Sequence, residues 1–217
     1  MRAACRESRV MGRIFPLHVR LSRDLMVAIP STTAAADMST SDFSAAASRL
    51  CASCGMCCNG VMFHFVRLQP ADSPKALAAL GLKLKRKRRQ DCILQPCPAY
   101  RDACCSIYTE RPVRCRAFEC RQLQQVATGT ITEAVAQGKI TKAVTLVAEV
   151  ESLLLQCGAA NMKHPLSKRC ETAMAEPLDP SSDEAVVQTR SRLSDVMRKL
   201  DALLDQEFRI DPPEPLA

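Results

Sequence analysis

Cysteines are the residues of this chain whose number and spacing could do chemistry. Thirteen of the 217 residues are Cys, and ten of these fall between Cys51 and Cys120. The segment opens with CASCGMCC, which places four cysteines within eight residues. A CxxC spacing lets two thiolates from one tight turn reach a single metal ion at about 2.3 Å. Gly55 allows the turn conformation that such a knuckle often requires. The pattern therefore predicts a metal site with thiolate ligands.

Disulfide bonding and nucleophilic catalysis account less well for this many cysteines. Disulfides need an oxidising compartment, and no convincing export signal is visible, so we expect a cytoplasmic protein. Thirteen is an odd number, and two Cys-Cys dipeptides could not each close on themselves without strain. A catalytic cysteine needs a base and an orienting group. The chain has only three histidines, none with a visible partner. We therefore predict no catalytic residue, and enzymatic activity stays undecided.

Eight cysteines are predicted to be metal ligands, four from the CxxCxxCC block and four from downstream. They are Cys51, Cys54, Cys57, Cys58, Cys97, Cys105, Cys115 and Cys120. Zinc takes four ligands, so eight thiolates would make two sites or one bridged pair. Iron–sulfur clusters, including the 4Fe–4S type, also take four cysteines. Because thiolates suit both metals, the expected cofactor is zinc or iron. His64, alone in an apolar run, is expected to be a structural residue.

Positive charge coincides with the cysteines. Residues 51–121 carry 13 Lys/Arg and five Asp/Glu, a net charge of +8, whereas residues 122–217 have a net charge of −4. Metal-bound thiolates are anionic and would cancel most of that +8. A basic surface can instead attract nucleic acid, and Lys83–Arg89 is the densest basic run. That run lacks the interleaved aromatic residues that stack on bases, so we do not expect a nucleic-acid partner.

Short elements are predicted around the cysteines. VMFHFVRL, after the first block, predicts a strand. A short helix is predicted after Ser73, its cap, with Gly81 as its end. LKLKRKRR predicts an exposed edge strand or loop that can pair with QDCILQPCPAY. One short helix begun near Pro112 is predicted within residues 108–121, although a separation of five residues does not suit Cys115 and Cys120 to one helical face.

The predicted fold class is mainly α, with a small irregular α+β cysteine-rich core stapled by metal and a helical C-terminal extension. Apolar spacing predicts one helix through Ile140 and Leu154 that ends at Gly158, and another opened by Ser182-Asp183. The predicted organisation is a disordered tail or mis-assigned start at 1–48, a metal-binding domain at 49–125, a helical region packing on it at 126–208, and a tail at 209–217. No apolar run is long enough for a membrane span.

A resemblance to a known family strengthens the metal hypothesis. CASCGMCC, followed some forty residues later by CPAY, CSIY, ERP and CRAF, resembles the cysteine-cluster family named for its CxxCxxCC motif. The resemblance covers Cys51–Cys120, about a third of the chain. It implies a zinc- or iron-chelating domain. The family's cysteines map onto Cys51, Cys54, Cys57, Cys58, Cys97, Cys105 and Cys115, and its Arg-Pro maps onto Arg111 and Pro112.

The resemblance and the residues leave several functions open. Some distant relatives in that family act as flagellin lysine N-methylases, but no methyl-donor site is visible in this sequence. The principal expectation is a metal-chelating protein with a metal ion and a possible protein as its partners. The alternatives are an iron–sulfur oxidoreductase or electron carrier, a methylase-like enzyme, and a zinc-stapled module that binds nucleic acid.

Overall fold

The computed structural model describes residues 40–159, 161–175 and 184–210. The predicted fold class, mainly α with a small α+β part, is confirmed in these ranges. The helices are α1 (Thr40–Cys54), α2 (Pro74–Ala79), α3 (Val113–Ala117), α4 (Arg121–Ala127), α5 (Glu133–Gln156), α6 (Leu166–Ala175) and α7 (Glu184–Glu207). The strands are β1 (Phe65–Arg67), β2 (Leu84–Lys87), β3 (Gln90–Leu94), β4 (Tyr100–Arg101) and β5 (Cys104–Cys105). Among the described helices, none is both long and apolar enough to cross a membrane.

The chain builds two hydrophobic cores. The larger, here called the helical core, is formed mainly by α1, α5, α6 and α7, which bury residues such as Leu50, Val150 and Leu200. The smaller, here called the sheet core, gathers side chains from the short strands, α2 and the loops between them. Its buried members are Leu68, Leu77, Leu82, Ile93, Ala99 and Ile107. The cysteine-rich segment supplies residues to both cores, because Met56 belongs to the helical core and Ile93 to the sheet core.

Two small antiparallel sheets follow the cysteine block. β3 lies between β1 and β2, with Ile93 opposite Val66 on one side and Leu84 on the other. The predicted pairing of the basic run with the segment after it is thereby confirmed. The strand predicted over residues 61–68 is shortened to β1. The N–H groups of Val61 and Met62 bond instead to Asn59 Oδ1 and the Met56 carbonyl oxygen, so neither joins the sheet ladder.

The short helix α2 confirms its predicted boundaries. Ser73 caps it, because the Ser73 side chain accepts a hydrogen bond from the Ala76 N–H, and Pro74 occupies the first turn. The chain leaves the helix through Gly81 at a φ of +85°. This local agreement is expected, since caps act within one turn of the helix.

The prediction of one helix within residues 108–121 is wrong. α3 ends at Ala117, Phe118 is extended at φ −79° and ψ 122°, and a second helix, α4, begins after its N-cap Cys120. The Phe118 ring meets the Phe63 ring edge-on, with 5.0 Å between their centroids. Such a contact favours the extended turn over a continued helix. Cys115 and Cys120 consequently lie on different elements.

The N-terminal part also differs from the prediction. α1 begins at Thr40, so the last nine residues of the predicted tail are helical, whereas residues 1–39 lie outside the described residues. Ala46 and Leu50 are buried against the helical core, and this burial stabilises a helix that short-range signals did not indicate. Gly158 follows the end of α5 as predicted. The predicted start of α7 at 182–183 lies outside the described residues, as do residues 211–217 of the tail predicted at 209–217.

Candidate metal centre

The first cysteine block joins the end of α1 to a tight turn. Cys51 and Cys54 stand three residues apart on the last turn of α1, a spacing that places them on one face. Gly55 leaves the helix at a φ of +64°, and its carbonyl oxygen accepts hydrogen bonds from the N–H groups of Cys58 and Asn59, at 2.8 and 3.0 Å. The predicted turn at Gly55 is therefore present, but it follows a helix.

A downstream hairpin reaches back to this turn. The Cys97 N–H donates to the Cys58 carbonyl oxygen at 2.8 Å, and the Tyr100 N–H donates to the Cys97 carbonyl oxygen at 3.0 Å. In the sheet formed by β4 and β5, Tyr100 stands opposite Cys105. Asp102 and Ala103 connect the two strands with φ values of +49° and +59°, as in a type I′ turn. Backbone hydrogen bonds thus bring Cys58, Cys97 and Cys105 into one neighbourhood.

Four thiols gather near the junction of α1 and α4. The pKa of Cys51 is raised to about 11 by burial and by repulsion from Cys120, and the pKa of Cys54 to about 12 by burial and by Cys120 and Cys51. Burial raises the pKa of Cys57 well above its ordinary value, with repulsion from Cys54, Cys120, Cys58 and Cys51 adding to it. Since Coulomb repulsion falls with distance, these cysteines are neighbours. Cys51 is an exposed residue, whereas Cys54 and Cys57 are half-buried. Burial therefore accounts better for the raised pKa of Cys54 and Cys57 than for that of Cys51.

Four other thiols gather near the hairpin. Burial, followed by repulsion from Cys97, Cys105 and Cys115, raises the pKa of Cys58 to about 12. Burial, followed by repulsion from Cys97 and Cys105, raises the pKa of Cys115 to about 11. The pKa of Cys97 is raised by burial and, more weakly, by Cys105. All eight predicted ligands therefore have at least one other predicted ligand as an electrostatic neighbour.

Some groups near the thiols favour the thiolate form. Backbone N–H groups oppose the effect of burial at three sulfur atoms. They are those of Met56 at Cys54, of Ala99 and Tyr100 at Cys97, and of Gln122 and Leu123 at Cys120. Arg111 lowers the pKa of both Cys51 and Cys115 by attraction, although burial outweighs it. Its guanidinium lies 3.7 Å from the Tyr108 ring centroid, and its Nε donates to the Tyr108 carbonyl oxygen at 3.0 Å.

Other cysteines, together with His64 and Arg121, make contacts with the cores, the strands and the helices. Cys92 is completely buried in β3, and its Sγ lies 3.6 Å from the Gln90 carbonyl oxygen. Cys157 and Cys170 pack with the helical core. His64 Nε2 lies 2.8 Å from Ser167 Oγ. Arg121 ends the basic segment, and its Nη1 donates to the carbonyl oxygens of Asp205 and Gln206 at the end of α7.

Tyr100 is a contributor to the site that the sequence did not single out. A Cβ atom at Gly55 would overlap the Tyr100 hydroxyl, so the ring lies directly against the turn of the first block. Burial raises the pKa of Tyr100, with repulsion from Cys58 and Cys54 as the smaller causes. The tyrosine therefore lies between the two gatherings of thiols. No local sequence signal indicates this contact, which joins residues 45 positions apart.

The thiols are neighbours but do not form a preassembled site. Among the described residues, no three His, Cys, Asp or Glu side chains are arranged so that they could already hold one ion. Thiolates repel one another until a cation neutralises them, and ligand convergence commonly accompanies metal binding. The donor set consists of cysteine thiols with backbone N–H groups and one arginine around them. Once deprotonated, such thiols are the ligands that zinc and iron–sulfur centres use.

Comparisons of the chain with family models, with curated proteins and with solved structures found no match. The resemblance to the CxxCxxCC family therefore stays a prediction from the sequence motifs.

Proposed function

We propose that this chain is a metal-chelating protein that binds zinc or an iron–sulfur centre through cysteine thiolates. The observation that carries the proposal is the gathering of eight cysteines from separate segments of the chain. They come from the end of α1, the turn after it, the β4–β5 hairpin with its approach, α3, and the N-cap of α4. The ligands that we propose are Cys51, Cys54, Cys57, Cys58, Cys97, Cys105, Cys115 and Cys120.

Electrostatics explains why a cation would be bound here. Burial and mutual repulsion raise the pKa of Cys54, Cys58 and Cys115, so these three thiols stay protonated at neutral pH in the absence of metal. A zinc or iron ion removes the repulsion and takes the place of the protons, so several unfavourable interactions become favourable at once. Arg111 and the net charge of +8 over residues 51–121 would balance the remaining negative charge.

A nucleic-acid-binding role has weaker support. The basic run forms β2 and the turn after it, and Lys87 and Arg67 contact the ring of Phe65, with Nζ and Cζ at 4.2 and 5.7 Å from its centroid. Cations that occupy the ring hinder its stacking on a base. If nucleic acid is nevertheless bound, its affinity should fall steeply with salt and with neutralisation of Lys83–Arg89.

Metal analysis of the full chain tests the proposal. Protein purified without air or chelators should contain stoichiometric zinc, or iron with acid-labile sulfide and broad absorption near roughly 400 nm. The Cys54→Ser variant should lose metal and unfold more easily, since binding free energy here is also folding free energy. Cys157→Ser is the matched control and should keep its metal. A well-folded preparation without any transition metal would contradict the proposal.

A further inference from the structure

We infer that the eight cysteines form two separate four-thiolate centres. The first, here called centre I, comprises Cys51, Cys54, Cys57 and Cys120. The second, here called centre II, comprises Cys58, Cys97, Cys105 and Cys115. The inference rests on the proposed function and adds to it the number of metal centres and the division of the ligands. The adjacent residues Cys57 and Cys58 are assigned to different centres.

The two hydrophobic cores divide four of the eight cysteines in the same way. Cys54 and Cys120 pack against the helical core, whereas Cys97 and Cys105 pack against the sheet core. A cysteine anchored on one core cannot move freely towards the other, since close-packed side chains resist displacement. Each core therefore supports its own pair of ligands.

The backbone contacts around centre I support the assignment of Cys51, Cys54 and Cys120 to it. α1 packs against α4, which brings the last turn of α1, with Cys51 and Cys54, towards Cys120 at the start of α4. The end of α4's first turn is itself buried, because Leu123 belongs to the helical core together with Leu50. Centre I thus lies where two helices of the same core meet.

The backbone contacts around centre II support the assignment of a different set of cysteines to it. The hydrogen bond from the Cys97 N–H to the Cys58 carbonyl oxygen and the pairing of Tyr100 with Cys105 join three of its cysteines. α3, which carries Cys115, packs against β1 of the three-stranded sheet. The Val113 N–H at the start of α3 donates to Asp72 Oδ1 at 2.8 Å, which holds α3 beside the loop before α2.

The turn after Gly55 bears on the assignment of Cys57 and Cys58 to different centres. The N–H groups of Cys58 and Asn59 both donate to the Gly55 carbonyl oxygen, at 2.8 and 3.0 Å. The Cys57–Cys58 peptide lies in a turn, where consecutive side chains point about 100° apart if the backbone is helical. Adjacent cysteines can therefore serve different centres.

Four thiolates per centre match what either metal requires. When a zinc ion enters a four-thiol centre, four S–H bonds break, four Zn–S bonds form and four protons leave, so that a centre with a net charge of −2 results. No electron is transferred in this step. A 4Fe–4S cluster would likewise take all four thiolates of one centre. Two such centres use all eight ligands and leave none shared.

Metal stoichiometry of paired variants tests the division. Cys54→Ser/Cys120→Ser removes two ligands of centre I, and Cys97→Ser/Cys105→Ser removes two of centre II, each in the full chain. Wild-type protein should contain about two zinc ions when loaded with zinc, or about eight irons when it holds 4Fe–4S clusters. Each double variant should contain half of that amount. Cys157→Ser should match the wild type.

A measurement on the unmodified chain keeps the test decisive if a variant does not fold. Reduced metal-free protein is titrated with zinc and alkylated with iodoacetamide, and the protected cysteines are located by mass spectrometry. We expect protection to rise in two groups with the memberships of centres I and II. One metal centre in the wild type, loss of all metal from either double variant, or protection of all eight cysteines in parallel would overturn the division while leaving metal binding intact. Absence of both zinc binding and an iron–sulfur centre would instead overturn the proposed function.

Discussion

At Gly55, a single hydrogen atom in place of a side chain determines how the first cysteine block can fold. The residue has a φ of +64°, where L-residues with a Cβ are strained, and its α-carbon faces the Tyr100 hydroxyl. Gly81 also has a positive φ, +85°, but nothing lies within 4 Å of a Cβ built there. Substitutions at the two glycines can therefore distinguish the cost of backbone strain from the cost of overlap with Tyr100.

We predict that Gly55→Ala destabilises the protein more than Gly81→Ala does. The strain of a left-handed backbone costs about 1–2 kcal/mol at either position, and only Gly55→Ala adds the overlap with Tyr100. The free energies of unfolding from urea titrations of both variants would measure the difference. Tyr100→Phe, which removes the overlapping oxygen atom, should recover part of the loss in Gly55→Ala and none in Gly81→Ala. Equal losses in the two single variants would show that the contact is unimportant.

At the scale of elements, α1 connects the helical core to the proposed ligands. Leu50, 1% exposed, is buried in that core, and the next residue is Cys51. The Arg49 guanidinium also contacts the Glu133 carboxylate at the start of α5 with two 2.8 Å hydrogen bonds, but this pair is exposed and contributes little to stability. The position of the cysteine-bearing turn therefore depends mainly on apolar packing.

We predict that Leu50→Ala weakens both folding and metal retention. The truncation should cost about 2–5 kcal/mol of unfolding free energy, as large-to-small changes in cores do. It should also speed the loss of metal to a competing chelator, because α1 carries Cys51 and Cys54. Leu155→Ala is the matched control, since Leu155 lies on α5 at 60% exposure and should change neither quantity by much. A stability loss with unchanged metal retention would show that α1 does not position the ligands.

At the scale of the whole molecule, the buried thiols link stability to pH and to metal. The pKa values of Cys51 and Cys115 are raised to about 11, and those of Cys54 and Cys58 to about 12. An unfolded chain exposes the same thiols at their ordinary pKa of about 8.5. Between these values the folded chain holds protons that the unfolded chain has released, so rising pH favours unfolding.

We predict that the metal-free protein loses stability as the pH rises above about 8.5. The loss should begin near the ordinary thiol pKa and continue towards the raised pKa values of the folded chain, with little dependence below pH 8. Urea unfolding of reduced, metal-free protein between pH 7 and 10.5 would show it. The Cys54→Ser variant should have a shallower slope, because one titrating thiol is absent. A stability that stays constant to pH 10.5 would contradict burial of the thiols.

Metal should reverse this pH dependence. Bound thiolates carry no protons, so the metal-loaded protein should keep its stability in mild alkali and lose it in acid, where protons compete with the metal for sulfur. Unfolding of the loaded protein over the same pH range, extended to pH 5, would test this. Parallel curves for the loaded and metal-free forms would indicate that the thiols do not bind metal.

The amino-acid sequence by itself determined the features that depend on neighbours along the chain. The caps of α2, the pairing of β2 with β3 and the end of α5 follow from residues within one turn or hairpin, where local preferences decide. The concentration of cysteines and of positive charge is likewise a property of composition. Tertiary structure decided the rest: the helical state of Thr40–Cys54, the interruption between α3 and α4, and the contact of Tyr100 with Gly55.

Only the tertiary structure decided which cysteines are neighbours. Cys120 lies beside the α1 thiols because two helices share a core, and Cys97 lies beside Cys58 because the hairpin hydrogen-bonds to the turn. These contacts join residues far apart in the chain, and their formation depends on burial that outweighs the entropy of closing long loops. Residue spacing does not indicate that balance. The sequence could therefore predict the eight proposed ligands as a set, but not their division between the two proposed centres.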